Sequence, residues 1–201
     1  MRLVAFAFAW MICASAASAQ VWSFSFSGGY SNVQFEHREG LFYAHSGGYV
    51  DADFAWRVPN TSVPLLIGAG VSASGHYDWQ DVPISGAGFF SNYRLYSDVS
   101  LVSLEARASL PIALRNAPGW FIMPRIGAGL LIDDYAIDRI NFTEYFTGAA
   151  FEIRPALQVG YSWGAWSAGG EVSYMAAWGD FGGLGHWAQD FRIGAFVRFK
   201  Y

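Results

Sequence analysis

Apolar and polar residues alternate along nearly the whole chain, and a period of two is typical of strands with one face in an apolar environment. The C-terminal segment is the clearest case, since one face holds Phe191, Ile193, Ala195, Val197, Phe199 and Tyr201. The same pattern recurs around residues 22–30, 50–57, 65–77, 102–108, 122–130, 151–161 and 166–178. No segment has a helical period or the composition of a linker. The pattern therefore predicts an all-β chain of about eight strands.

The lengths of the connections between these segments also alternate. Residues 59–62, 116–119 and 162–165 form short connections, whereas residues 34–43, 78–94, 133–144 and 179–189 form long ones. Short periplasmic turns and long external loops are typical of an antiparallel up-and-down transmembrane β-barrel. We expect the acidic residues of the third long loop, Asp133, Asp134 and Asp138, to be exposed charges. Ten strands remain an alternative if a long loop contains a hairpin.

Aromatic residues gather at the ends of the predicted strands on the apolar face. The set near the short turns is Trp22, Trp56, Trp120, Trp163, Trp166 and Tyr201, and the set near the long loops is Tyr30, Tyr77 and Trp178. Tryptophan and tyrosine rings favour the membrane–water interface, so these sets predict two aromatic girdles.

The composition agrees with a surface that is largely out of water. The chain is 53% hydrophobic and 18% aromatic, and Lys200 is its only lysine. A surface in water normally carries many lysines and glutamates. The net charge of −4 argues against nucleic acid as a partner. No glycine pair leads into a helix that could hold a phosphate, so we expect no nucleotide cofactor.

The first residues have the pattern of an export signal. Arg2 precedes an apolar run from residue 3 to residue 12, and Ala17-Ser18-Ala19 gives a small-residue cleavage pattern. We expect residues 1–19 to be a signal peptide and residues 20–201 to form the barrel. Cys13 lies inside the signal, so the mature protein would contain no thiol.

The last five residues, Val197-Arg198-Phe199-Lys200-Tyr201, resemble the C-terminal signature of bacterial outer-membrane proteins. In architecture the whole predicted barrel resembles the small barrels typified by OmpX and by the membrane domain of OmpA. The OmpX-like form is closer, because no periplasmic domain follows the last strand. The resemblance implies a bacterial outer-membrane location with several passes, contact with outer-membrane lipid, and insertion by the barrel-assembly machinery.

A barrel of about eight strands has an interior that side chains can fill. The predicted inward positions carry a polar network, Glu105, Arg107, Arg125, Glu152, Arg154, Glu171, Arg192 and Arg198. Glu152 lies one inward step from Arg154, whereas the register offers no partner for Asp51 or Asp53. Buried ions need partners, so the network favours a structural plug over a narrow pore.

If the strands pair symmetrically about their turns, Glu105 lies opposite Arg125 and Glu171 lies opposite Arg198. In the low-dielectric lumen such groups need to be paired and hydrogen-bonded.

Two histidines form the only candidate for chemistry. The short turn at residues 59–62 would set His45 directly opposite His76, both facing inward, with Asp78 two residues further along. Paired imidazoles beside a carboxylate could bind a transition metal or assist hydrolysis. No third metal ligand is defined, so a polar cluster at the rim is favoured and we predict no catalytic or metal site.

Two prolines, Pro124 and Pro155, lie within predicted strands, where each removes a ladder hydrogen bond. Folding the hairpin about its loop brings them roughly level, which suggests a matched bulge or a less regular seam.

The leading functional hypothesis is a non-enzymatic barrel with a plugged polar lumen, whose long external loops serve surface contact, adhesion or envelope integrity. One alternative is a lipid- or peptide-processing hydrolase at the rim that uses His45, His76 or His186. The other is a narrow pore through the charged lumen. The sequence identifies no external partner.

Overall fold

The computed structural model describes residues 22–36, 42–83, 92–139, 142–181 and 186–201. The predicted signal peptide, Cys13 and His37 lie outside the described residues. The elements are β1 (Trp22–Glu36), β2 (Phe42–Arg57), β3 (Leu66–Pro83), β4 (Asn92–Ser109), β5 (Ile112–Ala113), β6 (Trp120–Arg139), β7 (Phe142–Trp163), β8 (Trp166–Asp180) and β9 (Trp187–Lys200). In the described part of the chain, no helix is long and apolar enough to cross a membrane.

Eight long strands close into one barrel. Each pairs antiparallel with its neighbours along the chain, and β1 pairs with β9. The two-residue strand β5 lies in the connection between β4 and β6, which pair with each other directly. The predicted fold class and strand number are confirmed, and the ten-stranded alternative is wrong.

The alternation of side chains gives the barrel an apolar exterior. Phe26, Val50 and Leu104 are 64–65% exposed on its outer face. Exposed aromatic residues lie at both ends of this apolar band, including Trp120 and Trp163 near the short turns. Because such a surface is unfavourable in water, the band fits the hydrocarbon of a membrane.

Strands extend into all four predicted long loops. The gaps between strand ends are only residues 37–41, 84–91, 140–141 and 181–186. In β6 the outward face turns polar at Asp134, just after Ile132, yet the strand stays paired with β7 up to Arg139. The strands therefore continue beyond the apolar band as paired hairpins, because their residues favour β-structure and the backbone hydrogen bonds between the strands continue. We call this end of the barrel the hairpin end and the opposite end the turn end.

The turn between β2 and β3 is longer than predicted, which shifts the register by two residues. The amide of Val58 bonds the carbonyl of Leu65 at 2.9 Å, not that of Val63. Prolines at positions 59 and 64 supply no amide for a tighter closure. Asn60 takes a positive φ of 58°, and the Thr61 hydroxyl lies 2.7 Å from the carbonyl oxygen of Val63.

The prediction of a matched bulge at the two prolines is wrong. Pro124 pairs with Leu157 and Pro155 pairs with Ile126 in a continuous β6–β7 ladder. The ladder is interrupted only on the far side of Pro155, where pairing with β8 stops after Ile153 and resumes in the same register. A missing amide thus removes a bond without inserting a residue.

Candidate functional site

The interior of the barrel has three layers. Its middle is polar, and each end is filled by buried apolar side chains. The outer closure, at the hairpin end, consists of Val33, Phe35, Val99, Leu101, Leu131, Ala150, Met175, Ala177, Phe181 and Ala188. The inner closure, at the turn end, consists of Ala55, Leu66, Phe121, Met123 and Phe196. Sequence reasoning missed these layers, although they could have been found by examining which residues near the strand ends alternate toward the interior.

The middle layer brings together all eight side chains of the predicted polar network. Each of the eight is at most 5% exposed. Among the described residues, the buried arginines and carboxylates of this layer are five and six in number, Arg107, Arg125, Arg154, Arg192 and Arg198 with Asp51, Asp53, Glu105, Glu152, Glu171 and Asp190. The near balance of charge is what a desolvated interior requires.

Arg107 is the centre of one ion-pair group. Its guanidinium bonds both carboxylate oxygens of Asp51, one of them at 2.7 Å, and lies 3.6 Å from Asp53. Its Nε donates to Glu105 at 3.0 Å. Asp51 and Asp53, which had no partner in the sequence interpretation, therefore pair with an arginine from β4, two strands away.

Arg154 continues this group toward β7. It lies 2.8 Å from Glu105 and 3.0 Å from Glu152, and it donates to the hydroxyls of Ser72 and Ser103. The group thus crosses the lumen from β2 to β7.

The two predicted cross-strand pairs are wrong. Arg125 donates to Glu171 at 2.9 Å, and Arg198 donates to Gln158 at 2.6 Å. Glu105 pairs in the ladder with Gly129, because the β4–β6 connection includes β5 and centres further along the chain. Glu171 pairs with Gly194, because the β8–β9 ladder closes at Trp178 and Trp187, around a connection centred earlier in the chain than the predicted loop at residues 179–189.

Two glycines make room for the Arg107 group. A Cβ atom on Gly70 would lie 2.1 Å from the Arg107 guanidinium carbon, and one on Gly127 would lie 2.1 Å from a Glu105 carboxylate oxygen. These glycines are required by the close approach of a charged side chain, and they explain how Arg107 passes across β3.

The histidines do not face each other. Gly47, not His45, pairs with His76, and the β2–β3 ladder ends at Ser46 and Tyr77. Both imidazoles are nevertheless 1% exposed and face the lumen. The side chain of Asp78 lies outside the described residues, so the expected approach of its carboxylate to the two histidines stays a prediction.

His76 belongs to a different hydrogen-bonded chain, which sequence reasoning missed. Its Nε2 lies 2.8 Å from the Ser31 hydroxyl oxygen, and that hydroxyl donates to Asp190 at 2.6 Å. Arg192 donates its Nε proton to the other oxygen of Asp190 at 2.6 Å. Because the serine proton points to Asp190, this arrangement differs from a serine activated by a histidine base.

The surroundings of the two histidines are closed. The His45 ring packs edge-on against Phe35, with ring centroids 6.2 Å apart, and Phe35 packs against Phe181. His186 lies apart on the exposed β8–β9 connection. Within the described ranges, no three His, Cys, Asp or Glu side chains converge as a metal site would require.

The structure also buries a carboxylate that we expected to be exposed. Asp133 is fully buried beside the outer closure, and neither of its oxygens has a hydrogen-bond partner among the described residues. Asp134, its neighbour, faces outward and accepts a bond from Thr147 at 2.6 Å. Alternation in β6 continues further than the sequence interpretation assumed, so only one of the two acids faces out.

Comparison with known proteins identifies the architecture. No family model matches the sequence, and no curated protein is detectably similar to it. Among solved structures, a major outer membrane protein from Thermus thermophilus is similar with a TM-score of 0.59, 11% identity, and coverage of 92% of this chain and 100% of that chain. Neisserial surface protein A is similar with a TM-score of 0.54 and 13% identity, over 92% of this chain and 100% of that one. Ail of Yersinia pestis, in complex with a heparin analogue, is similar with a TM-score of 0.53 and 15% identity, over 89% and 99%.

The chain has the fold of the small outer-membrane β-barrels. This agrees with the resemblance to the OmpX and OmpA type, and it supports an outer-membrane location. For an outer-membrane barrel of this size, the interior described above is the main chemical feature. Its ion pairs connect several strands across the interior, and a cluster of buried apolar side chains lies on each side of the polar layer.

Proposed function

We propose that the protein is a non-enzymatic outer-membrane barrel with a closed lumen, exported with removal of residues 1–19, that acts through its projecting hairpins. The observation that carries this proposal is the three-layer interior. Ions cross membranes through water-filled channels, and an eight-stranded barrel has room only for its own side chains. Here four of the five arginines of the middle layer form ion pairs inside it, and apolar residues cover the layer at both ends, which favours a plug over a narrow pore.

Single-channel recording in planar lipid bilayers tests the closed lumen. We expect no steady unitary conductance from the wild-type barrel. The double variant Phe121→Ala, Phe196→Ala, which lacks two aromatic rings of the inner closure, is recorded for comparison. Val197→Ala, which changes only the lipid-facing side of β9, is the matched control. Steady wild-type currents that change with Glu105→Gln would support the pore instead.

The projecting hairpins are the parts of the barrel that can reach a partner outside the cell. From Ile132 to the end of β6 the strand extends roughly 20 Å beyond the apolar band, at about 3.3 Å per residue. Apart from the buried Asp133, residues 78–98 and 133–144 contain six acidic residues and two arginines. This charge favours a neutral or basic partner surface over a polyanion, in contrast to the heparin analogue bound to Ail.

Surface contact is tested by shortening one hairpin at a time. Replacing residues 80–95 with a two-residue turn removes the outer part of β3 and β4 and leaves their membrane portions in place. We expect adhesion or aggregation of cells that display the shortened barrel to fall to the level of cells without it, at equal surface amount. Unchanged adhesion after shortening both this hairpin and the β6–β7 hairpin would contradict the proposal.

The geometry does not favour the rim hydrolase. Ser31, His76 and Asp190 are each at most 1% exposed, and a substrate could not reach Ser31 without displacing the outer closure. Adhesion or envelope integrity is therefore the function we propose for the outer ends.

A further inference from the structure

The connections at the turn end of the barrel carry positive charge and no acidic side chain. The connections 58–65, 110–119 and 164–165 contain no Asp or Glu. Three basic residues lie at this end, which we call the turn-end cations, Arg57, Arg115 and Lys200. They stand out because the chain as a whole has a net charge of −4.

Two of these cations are exposed and have no partner within the barrel. Arg57 ends β2, directly after Trp56, and Arg115 lies in the turn that leads to Trp120. No hydrogen bond or ion pair is found for either guanidinium in the described part of the chain. Lys200, on β9, has a partner at the turn end, since its Nζ donates to the Ser162 hydroxyl of β7 at 3.1 Å.

The aromatic girdle sets the depth of these cations in the membrane. Trp120, Trp163 and Trp166 are 47–50% exposed on the outer face at the turn end. Tryptophan rings favour the headgroup level of a bilayer. Arg57 is the last residue of β2, on the face of the buried Asp53 and Ala55, but its side chain is exposed at the end of the barrel. The exposed guanidinium groups of Arg57 and Arg115 are thus at the level of this girdle and can reach the lipid phosphates.

We propose that the turn end binds anionic phospholipid in the periplasmic leaflet, with Arg57 and Arg115 contacting the phosphate groups. Guanidinium and phosphate form charge-assisted, often bidentate hydrogen bonds. The lipid is favoured over a soluble periplasmic polyanion because the tryptophans beside the two arginines fix them at the bilayer surface. At the hairpin end, Asp98, Asp134 and Asp180 are exposed on the outer face, so the same lipid would be repelled there.

Native mass spectrometry of the barrel released from nanodiscs tests this proposal. The discs contain phosphatidylglycerol and phosphatidylcholine in equal parts, and the ratio of the two lipids retained on the protein is measured. We expect enrichment of phosphatidylglycerol on the wild type, and a fall of about fivefold in that enrichment for each arginine replaced, in Arg57→Gln, Arg115→Gln and the double variant. The enrichment should also decline as salt is raised.

The double variant Asp98→Asn, Asp134→Asn is the matched control, since it alters two charges at the opposite end. It should retain or increase the enrichment. Far-ultraviolet circular dichroism and heat-dependent migration on gels verify that each variant is folded. The proposal is overturned if the folded Arg57→Gln, Arg115→Gln variant keeps the wild-type enrichment. It is equally overturned if the wild type shows no enrichment and instead binds anionic peptidoglycan fragments.

Discussion

At the scale of single residues, partners in the lumen are set by the reach of arginine side chains. Arg107 on β4 pairs with Asp51 on β2 because Gly70 leaves the space above β3 empty. A search restricted to directly opposed residues could not find this pair. The alternation showed that Arg107 faces inward, but not how far its guanidinium extends or which neighbour lacks a side chain.

Replacing Gly70 with alanine should therefore destabilise the barrel. The new methyl group would meet the guanidinium that Asp51 holds, and overpacking of this kind costs about 1–3 kcal/mol. Gly75→Ala is the control, since a Cβ there meets nothing within 4 Å and should leave the barrel as stable or slightly more so. Urea unfolding in lipid vesicles measures both. Equal effects of the two substitutions would show that Gly70 is not required by Arg107.

At the scale of strands and hairpins, the faces were predictable and the registers were not. His76 lies opposite Gly47 instead of His45, a shift of two residues, and Glu105 lies opposite Gly129 instead of Arg125, a shift of four. Even shifts keep every side chain on its predicted face. The errors arise in the turns, where prolines and the short strand β5 move the point of closure in ways that the alternation does not record.

Pro155 interrupts the β7–β8 ladder without changing its register, so it offers a test at this scale. Pro155→Val supplies an amide to β8 and should raise the free energy of unfolding by about 0.5–1.5 kcal/mol, the net value of one hydrogen bond. Leu157→Val, on the same lipid-facing side of the same strand, leaves the ladder unchanged and serves as control. The free energy of unfolding is measured in lipid vesicles. If it is no higher for Pro155→Val than for this control, the missing hydrogen bond is compensated elsewhere.

At the scale of the whole molecule, charge is sorted into two environments. The ion pairs of the lumen are buried, with Arg154 and Glu152 at most 2% exposed, whereas Arg57 and Arg115 face water or headgroups. At about 0.1 M salt, interactions between exposed charges more than about 10 Å apart are largely screened, whereas desolvated pairs are affected much less.

The two environments should therefore respond differently to ionic strength. Between roughly 0.05 and 0.5 M sodium chloride we expect little change in the thermal unfolding temperature of the barrel in a neutral detergent, because the lumen pairs are shielded from ions. Far-ultraviolet circular dichroism, which reports the loss of β-structure, follows the transition. A marked fall of the unfolding temperature with salt would mean that water and ions enter the lumen, which would contradict the closed interior.

The positions of the lumen partners also constrain how the barrel can be assembled. Asp190 and Arg192 lie on β9, yet they bond Ser31 on β1 and Ser72 on β3. Hairpins made early in synthesis therefore carry polar groups whose partners arrive only with the final strand. Charged side chains cannot remain unpaired in hydrocarbon, so partly assembled intermediates are disfavoured inside the bilayer. Insertion and closure should thus occur as one cooperative event, in which the last strand supplies hydrogen-bond partners for polar side chains of the first strands.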